Sequence, residues 1–290
     1  MYKVYTDIDS ELISRYEDYF CEAEIFNWSI EQMVDNPEDV ILCGYFDSGE
    51  EAKAGYECLR TIFTELSEDY VVEEVFEEDF QNAYKQYLNA FNYKDLHWVP
   101  IWLKDEYTEN KEGDKVFYFD AQMAFGTGDH PTTRLCMMRI LDYAEKYGLS
   151  DKSLADAGCG SGILAMTAML YDCKKLRAFD IDEAAIKVCL ENASFNNLNV
   201  DGIFMTSNIE EGLGGVKYDL VVANIQSDIL MLHSKFLLEA VSENGVLILS
   251  GILKEENEKV REFFKNASTK AIKNIEFKEM GDWSDVLIEF

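Results

Sequence analysis

The chain has 290 residues, of which 48% are hydrophobic, and it carries a formal net charge of −30 at pH 7. This length can bury a large core and favours two domains over one. No run of about 18 apolar residues occurs, so we expect no membrane span. The first residues lack the apolar segment of a secretion signal, which favours a cytoplasmic protein.

The cysteine and histidine content points away from disulfides and metal sites. The seven cysteines are scattered without a C-x-x-C pair, and there are only three histidines. Reduced thiols in a cytoplasm fit this pattern better than disulfides, and we expect no metal site.

The negative charge is concentrated in the first part of the chain. Residues 1–120 hold 30 acidic and 9 basic side chains, a net charge of −21, whereas residues 121–290 hold 26 and 17, a net of −9. Such a field repels nucleic acid and attracts a basic macromolecule. Simple solubility of an acidic protein explains the charge equally well, but in either case we expect no direct nucleic-acid partner.

The first 76 residues predict a small α+β domain. Its expected strands cover residues 2–8, 25–28, 40–46 and 70–75, and its expected helices cover residues 10–23 and 48–66. Ser48 followed by Glu51 is typical of a capping box at the start of the second helix. The order β-α-β-β-α-β predicts a ferredoxin-like domain over residues 1–76.

Residues 77–120 are predicted to form a linker. Apolar residues recur at helical spacing over 79–90, while 105–115 is polar and rich in turn residues. We expect the apolar stretch 98–102 to pack at a domain junction rather than to bind a ligand.

Residues 121–290 predict an α/β domain with a doubly wound, seven-stranded sheet. A helix is expected to begin at Thr132 or Thr133, and helical patterns then separate the expected strands. These strands lie near 153–158, 176–181, 202–206, 218–224 and 245–250, and two more at 274–281 and 284–290 end the chain without a helix between them. This pattern predicts a mostly parallel sheet with an antiparallel edge.

The most informative segment is Asp-Ala-Gly-Cys-Gly-Ser-Gly at 156–162, which lies between a predicted strand and a predicted helix. Glycines let a backbone approach a ligand closely, and Asp180, at the end of the next strand, can hold ribose hydroxyls. We therefore expect a cofactor that contains a nucleoside. Tight packing of strand on helix is the alternative explanation for the glycines.

Two further side chains are expected near this turn. Asn224 ends the fourth predicted strand, and in open parallel sheets the ligand crevice lies beyond the carboxyl ends of the strands. Its amide oxygen can accept a hydrogen bond from an amine, although a turn asparagine is also possible. Asp182 is expected to cap the following helix rather than to bind ligand.

Segment 156–162 resembles the class I methyltransferases that use S-adenosylmethionine. Its glycines follow the pattern G-x-G-x-G, and Asp156 precedes them. Residues 125–133, Phe-Gly-Thr-Gly-Asp-His-Pro-Thr-Thr, together with Asn224-Ile225 and 250–253, closely resemble the methyltransferase family that modifies protein eleven of the large ribosomal subunit. The resemblance is good over about residues 75–290.

This resemblance implies an N-terminal domain that recognises the substrate, a linker helix, and a C-terminal domain that holds S-adenosylmethionine. The cofactor-binding residues expected on this basis are Thr133, Gly158, Asp180 and Asn224, to which we add Asp156 and Gly160 from the glycine segment. No catalytic residue is assigned: His130 is a possible base, but we favour a role in holding the loop.

The expected activity is a protein N-methyltransferase that acts as a monomer on lysine side chains or the α-amine of a basic ribosomal protein. Three alternatives stay open at this point. The first is an N-methyltransferase for another protein or a small molecule. The second is a non-catalytic S-adenosylmethionine-binding assembly factor. A nicotinamide-dependent oxidoreductase is the third, but it would require G-x-G-x-x-G and gives the 125–133 loop no purpose.

Overall fold

The structure is a computed structural model that describes residues 1–22, 25, 27–33, 36–75, 85, 88–120 and 128–290. The chain divides into two compact units, Met1–Tyr87 and Leu88–Phe290. Within the described ranges, no helix combines the length and the apolar character needed to cross a bilayer.

The first unit packs two helices on a four-stranded antiparallel sheet. Its elements are β1 (Tyr2–Ile8), α1 (Ile13–Glu22), β2 (Trp28–Met33), β3 (Asn36–Phe46), α2 (Gly49–Ile62) and β4 (Val71–Glu74), with a short 3-10 helix at Ser10–Leu12. The strand order is β2-β3-β1-β4, so the predicted β-α-β-β-α-β arrangement is confirmed. The Ser48 side chain accepts a hydrogen bond from Glu51 N at 3.2 Å, as the predicted cap requires.

The second unit begins with a small sheet, where the sequence predicted a linker. It consists of strands β5 (Phe91–Tyr93), β6 (Leu96–Pro100) and β7 (Lys115–Phe119). A 3-10 helix at Ile101–Leu103 follows β6 in the chain. Every residue of β6 is buried, and Trp98 Nε1 donates to Thr167 Oγ1 at 3.0 Å. Residues 88–119 therefore belong to the second unit, while most of the helix expected over 79–90 lies outside the described residues.

The main sheet of the second unit contains β8 (Ser153–Ala157), β9 (Lys175–Asp180), β10 (Phe204–Thr206), β11 (Tyr218–Asn224), β12 (Val241–Leu253), β13 (Asn274–Glu276), β14 (Glu279–Met280) and β15 (Trp283–Glu289). Its order is β10-β9-β8-β11-β12-β15-β13, and β14 pairs with β15. Strands β8 to β12 run parallel and β15 is antiparallel to β12, so the predicted doubly wound sheet is confirmed, with eight strands rather than seven. The additional strand β14 arises because the strand expected over 274–281 is split in two.

Helices cover both faces of this sheet. They are α3 (Pro131–Tyr147), α4 (Ile163–Met169), α5 (Glu183–Phe195), α6 (Ile209–Leu213), α7 (Ser227–Leu232), α8 (Ser234–Ala240) and α9 (Asn257–Ala267), with a 3-10 helix at Lys254–Glu256. Alternate residues of β11 enter opposite cores, Val222 on one face and Val221 on the other. Burial on both faces explains why the central strands are apolar without a break.

A buried ion pair joins α3 to the antiparallel edge of the sheet. Arg139 Nε and Nη2 donate to the two carboxylate oxygens of Asp285 at 2.7 and 2.9 Å, and Arg139 also contacts Glu276. The side chains of Arg139 and Asp285 are 3% and 0% exposed. Because both side chains are buried and joined by two hydrogen bonds, the pair fixes α3 against the sheet. The first turn of α3 lies at the carboxyl ends of the parallel strands.

Candidate active site

A cavity of about 710 Å³ lies at the carboxyl ends of the parallel strands. It crosses six neighbouring strands, from the end of β10 to the start of β15. Its lining residues are His130, Thr132, Gly158, Gly160, Phe179, Asp180, Ile181, Ser207, Asn208, Ile209, Asn224, Ile225, Gln226, Ile229, His233, Gly251 and Trp283. The predicted residues Gly158, Gly160, Asp180 and Asn224 are therefore brought together on one wall.

The glycine turn after β8 is tied to the end of β9. The backbone N–H groups of Gly158 and Cys159 donate to the Phe179 carbonyl at 2.9 and 3.0 Å. Gly158 has a φ of 76°, and a Cβ added there would lie 2.6 Å from a methyl carbon of Ile225. Only glycine fits this position, since a side chain would meet both backbone strain and a clash.

Asp180 is held in place by backbone N–H groups while it faces the cavity. Its Oδ2 accepts from Gly160 N at 2.9 Å, and its Oδ1 accepts from Asp182 N at 3.1 Å. An ionised carboxylate has about four acceptor sites, so the oriented group keeps capacity for ligand hydroxyls. Asp182 instead caps α5 by accepting from Ala184 N at 2.8 Å, which confirms its predicted role.

Asp156 lies beneath the turn and does not line the cavity. Its side chain is fully buried, and its Oδ2 accepts from Ala165 N at 3.1 Å. Oδ1 has no hydrogen-bond partner among the described residues. Burial raises the pKa of Asp156 from an ordinary 3.8 to about 7, against a smaller lowering by the Ala165 N–H and with a further rise from Asp180. The structure thus places this carboxyl where it supports the turn.

Asn224 has a buried amide oxygen that lacks a partner among the described residues. The residue is 5% exposed, and its Nδ2 donates to Thr133 Oγ1 at 3.3 Å. No described residue donates to its Oδ1. Thr133, in the first turn of α3, lines a smaller space beside the main cavity together with Gly158 and Asn224. Thr133 thereby orients the amide, and a ligand amine would supply the missing donor.

His130 caps α3 with its side chain. Its Nδ1 accepts from Thr132 N at 3.4 Å and lies 2.7 Å from Thr132 Oγ1. Burial lowers the pKa of His130, and the nearby Asp129 carboxylate raises it by less, so the imidazole is neutral at pH 7. Gly128 precedes this cap, whereas residues 125–127 of the predicted loop lie outside the described residues.

Trp283 forms the far end of the cavity, and the sequence interpretation missed it. Its ring meets the His130 ring at a centroid distance of 4.8 Å and an angle of 67°. Because β15 is antiparallel to β12, the first residue of β15 lies at the edge where the parallel strands end. An aromatic residue directly before the last predicted strand, 284–290, is the signal that would have located it.

The turn after β11 is packed tightly against the end of β12. Gly251 has a φ of 83°, and a Cβ at this position would overlap the Ile225 carbonyl. This close approach fixes the segment that carries Asn224 and Ile225. In the described ranges, no three His, Cys, Asp or Glu side chains come together as metal ligands would.

A glycine turn, an oriented acid and a buried amide at the ends of successive strands define a class I methyltransferase. Residues 5–289 match the family described as ribosomal protein L11 methyltransferase, and the chain belongs to that family. It is therefore an enzyme, and enzymes of this class take their methyl group from S-adenosylmethionine.

Relatives named ribosomal protein L11 methyltransferase align with nearly the whole chain. The protein from Dictyoglomus turgidum is 29% identical over 287 residues, which cover 98% of this chain and 91% of that protein. The protein from Caldicellulosiruptor bescii is 31% identical over 286 residues, which cover 95% and 86%. A crystal structure of ribosomal protein L11 methylase from Lactobacillus delbrueckii subsp. bulgaricus matches with a TM-score of 0.60 and 29% identity, covering 70% of this chain and 98% of that one.

The residues present fit this cofactor. A volume of about 710 Å³ is within the usual range for small-molecule sites. The wall is largely apolar, but it offers an oriented carboxylate and an amide oxygen that no described residue pairs with. The carboxylate can accept hydrogen bonds from the two hydroxyls of a ribose, and the amide oxygen can accept one from an amine.

Proposed function

We propose that this enzyme methylates amines of ribosomal protein L11 and that the reaction takes place in the cavity at the ends of β8–β12. The observation that carries the proposal is the buried amide oxygen of Asn224, which has no partner in the described part of the chain and belongs to a residue midway across the cavity. Relatives over most of the chain are named for methylation of this ribosomal protein.

The assignment of cofactor-binding residues follows the order of the strands. Asp180 at the end of β9 accepts hydrogen bonds from the ribose hydroxyls. Gly158 and Gly160 let the backbone lie close to the methionine portion, and Asp156 supports their turn from below. Thr133 acts through its hydrogen bond to Asn224. The bound cofactor supplies an electrophilic methyl group on a sulfonium.

The target amine enters from the Trp283 end of the cavity. Trp283 and the neutral His130 form an aromatic wall on which the aliphatic stem of a lysine can pack. Asn224 Oδ1 then accepts an N–H of the amine, which directs the nitrogen lone pair away from the amide and toward the methyl group. Alignment of the two reactants and exclusion of water are the main contributions of the protein.

The amine must be neutral when it reacts. A lysine pKa of about 10.4 makes the neutral form cost about 4–5 kcal/mol at pH 7, whereas an α-amine with a pKa near 8 costs about 1 kcal/mol. Burial and a neighbouring sulfonium both disfavour the ammonium form, so the proton can leave to water before the methyl transfer. We therefore assign no general base.

The acidic first part of the chain suits a basic substrate. Residues 1–120 carry a net charge of −21, and an excess of one sign accelerates encounter with the opposite sign. We place this encounter in the cytoplasm and assign it to a monomer. Binding of L11 should weaken as salt is raised from 50 to 300 mM, roughly the range over which surface charges become screened. A flat response would remove this part of the proposal.

The test is methyl transfer to purified L11. The enzyme is incubated with labelled S-adenosylmethionine and L11, and the modified residues are located by mass spectrometry. We expect label on lysine side chains or the α-amine, and a loss of kcat/KM of about 10–150-fold for Asn224→Ala, from a lost hydrogen bond of about 1.5–3 kcal/mol to a charged or polarised group.

Two outcomes separate the alternatives. If a lysate supplies a different labelled protein or a small metabolite while L11 stays unlabelled, the substrate is wrong but the activity stands. If the cofactor binds and no acceptor is labelled under any condition, the chain is a non-catalytic binding protein. Lys235→Ala is the control variant, because Lys235 is an exposed residue on α8 and its substitution should leave activity unchanged.

A further inference from the structure

His233 is a cavity residue that the proposed function leaves without a role. It lies between α7 and α8, and it lines the cavity. Its Nδ1 is buried and has no hydrogen-bond partner among the described residues. A buried imidazole nitrogen without a partner costs free energy unless a ligand supplies one.

The backbone holds His233 firmly in this position. Its N–H donates to the Ile229 carbonyl at 3.0 Å, and its carbonyl accepts from Leu237 N at 3.1 Å. Gln226, Ile229 and His233 all line the cavity, and their spacing of three and four residues is that of one helical face. The side chain is therefore presented to the cavity from a rigid element.

We place His233 at the end of the cavity that α6 borders, opposite to Trp283. The helix that follows it, α8, packs against α6 as well as against β12. Helix α6 begins at Ile209 and is capped by Asn208, and both of these residues also line the cavity. This end is next to β10, whereas Trp283 lies at the start of β15, five strands further along the sheet.

The order of the strands decides which part of the cofactor reaches this end. With the ribose on Asp180 at β9 and the sulfonium methyl group near Asn224 at β11, the base extends the other way, toward β10. This step rests on the cofactor orientation in the proposed function. Adenine offers a 6-amino donor and ring-nitrogen acceptors, and a neutral imidazole offers one acceptor and one donor.

We propose that His233 contacts the adenine base of the cofactor and that its Nδ1 pairs with the edge that carries the 6-amino group. His233 is thus a determinant of cofactor specificity. It is separate from the amine-binding end of the cavity. The interaction fixes the base and so holds the ribose and the methyl group in register with Asn224.

The test is calorimetric binding of S-adenosylhomocysteine to the full chain and two variants. His233→Phe keeps a ring but removes the hydrogen bond, whereas His233→Asn places an amide close to the position of Nδ1. We expect the Phe variant to bind about tenfold more weakly, which corresponds to a loss of about 1.4 kcal/mol of binding free energy. The Asn variant should recover most of that loss. Lys235→Ala is the matched control, and circular dichroism with thermal melting checks that each variant is folded.

A second ligand makes the result specific for the base. The analogue of S-adenosylhomocysteine in which hydrogen replaces the 6-amino group should bind wild type about tenfold more weakly and should bind wild type and His233→Phe alike. If the Phe variant loses the same affinity for both ligands, or loses none, the inference is overturned. A changed KM for L11 with unchanged ligand affinity would also overturn it. If wild type binds neither ligand, the proposed function itself fails.

Discussion

Asp156→Asn should raise the stability of the second unit relative to wild type, and it should do so more at alkaline than at acidic pH. The carboxyl is fully buried with one hydrogen-bond donor, and its pKa is raised from 3.8 to about 7. A raised carboxyl pKa means that the folded state holds the proton more tightly than the unfolded state. The resulting destabilisation begins as pH rises past 3.8 and is complete above about pH 7.

The magnitude follows from the pKa difference of about 3. The carboxyl destabilises the fold by about 1.5 kcal/mol at pH 5 and about 4 kcal/mol at pH 8.5, as an upper bound. Asparagine does not titrate, so the stability of the variant relative to wild type should rise by about 2.5 kcal/mol between these two pH values. Any packing difference between Asp and Asn is the same at both pH values and cancels.

The assay is urea denaturation at pH 5 and pH 8.5 without ligand, followed by tryptophan fluorescence. Three of the four tryptophans, Trp98, Trp102 and Trp283, belong to the second unit and so report on the part of the chain that contains Asp156. Asp151→Asn, an exposed substitution with the same change in charge, is the control. An equal stability difference at both pH values, within about 0.5 kcal/mol, would refute the reasoning.

Two other substitutions test the packing that positions the site. Gly251→Ala adds a Cβ against a backbone carbonyl at a φ of 83°, so it should cost more than the roughly 1–3 kcal/mol of backbone strain alone and should weaken cofactor binding. Gly215→Ala, at a φ of 68° with nothing within 4 Å of the added carbon, should show only the strain in thermal melts; equal losses would contradict the clash. Asp285→Ala should destabilise the second unit by about 3–5 kcal/mol in urea, because it leaves Arg139 buried without its main partner. Glu276→Ala, at a side chain that is 49% exposed, should cost less than about 1 kcal/mol, and a larger loss there than at Asp285 would contradict the assignment.

Local signals in the sequence were sufficient for much of the fold. Ser48 and Asp182 cap helices as predicted because their side-chain oxygens bond to N–H groups two or three residues away. Glycine spacing and strand order likewise placed Gly158, Asp180 and Asn224 on one edge, since the ends of parallel strands necessarily meet there.

Long-range partners account for the features that the sequence did not predict. His97 interrupts the apolar run of β6, yet it is buried because Tyr107 OH lies 2.6 Å from Nδ1 and Asp114 Oδ2 lies 3.0 Å from Nε2. Neither partner is recognisable from spacing alone, so the segment resembled a linker. Asp156 was predicted either to meet the ligand or to support the glycine turn, and strand alternation turns its side chain under the turn toward Ala165. Only packing in three dimensions decides such a choice of face.

The most direct test of the central claim is calorimetric titration of S-adenosylmethionine into the wild-type chain and into Asp180→Ala. The account predicts one binding site per chain in wild type. It also predicts a loss of about 10–150-fold in affinity for the variant, from about 1.5–3 kcal/mol of hydrogen bonding to a charged group. Equal affinities for the two proteins, or no heat of binding to wild type, would contradict the claim that this cavity holds the methyl donor by its ribose.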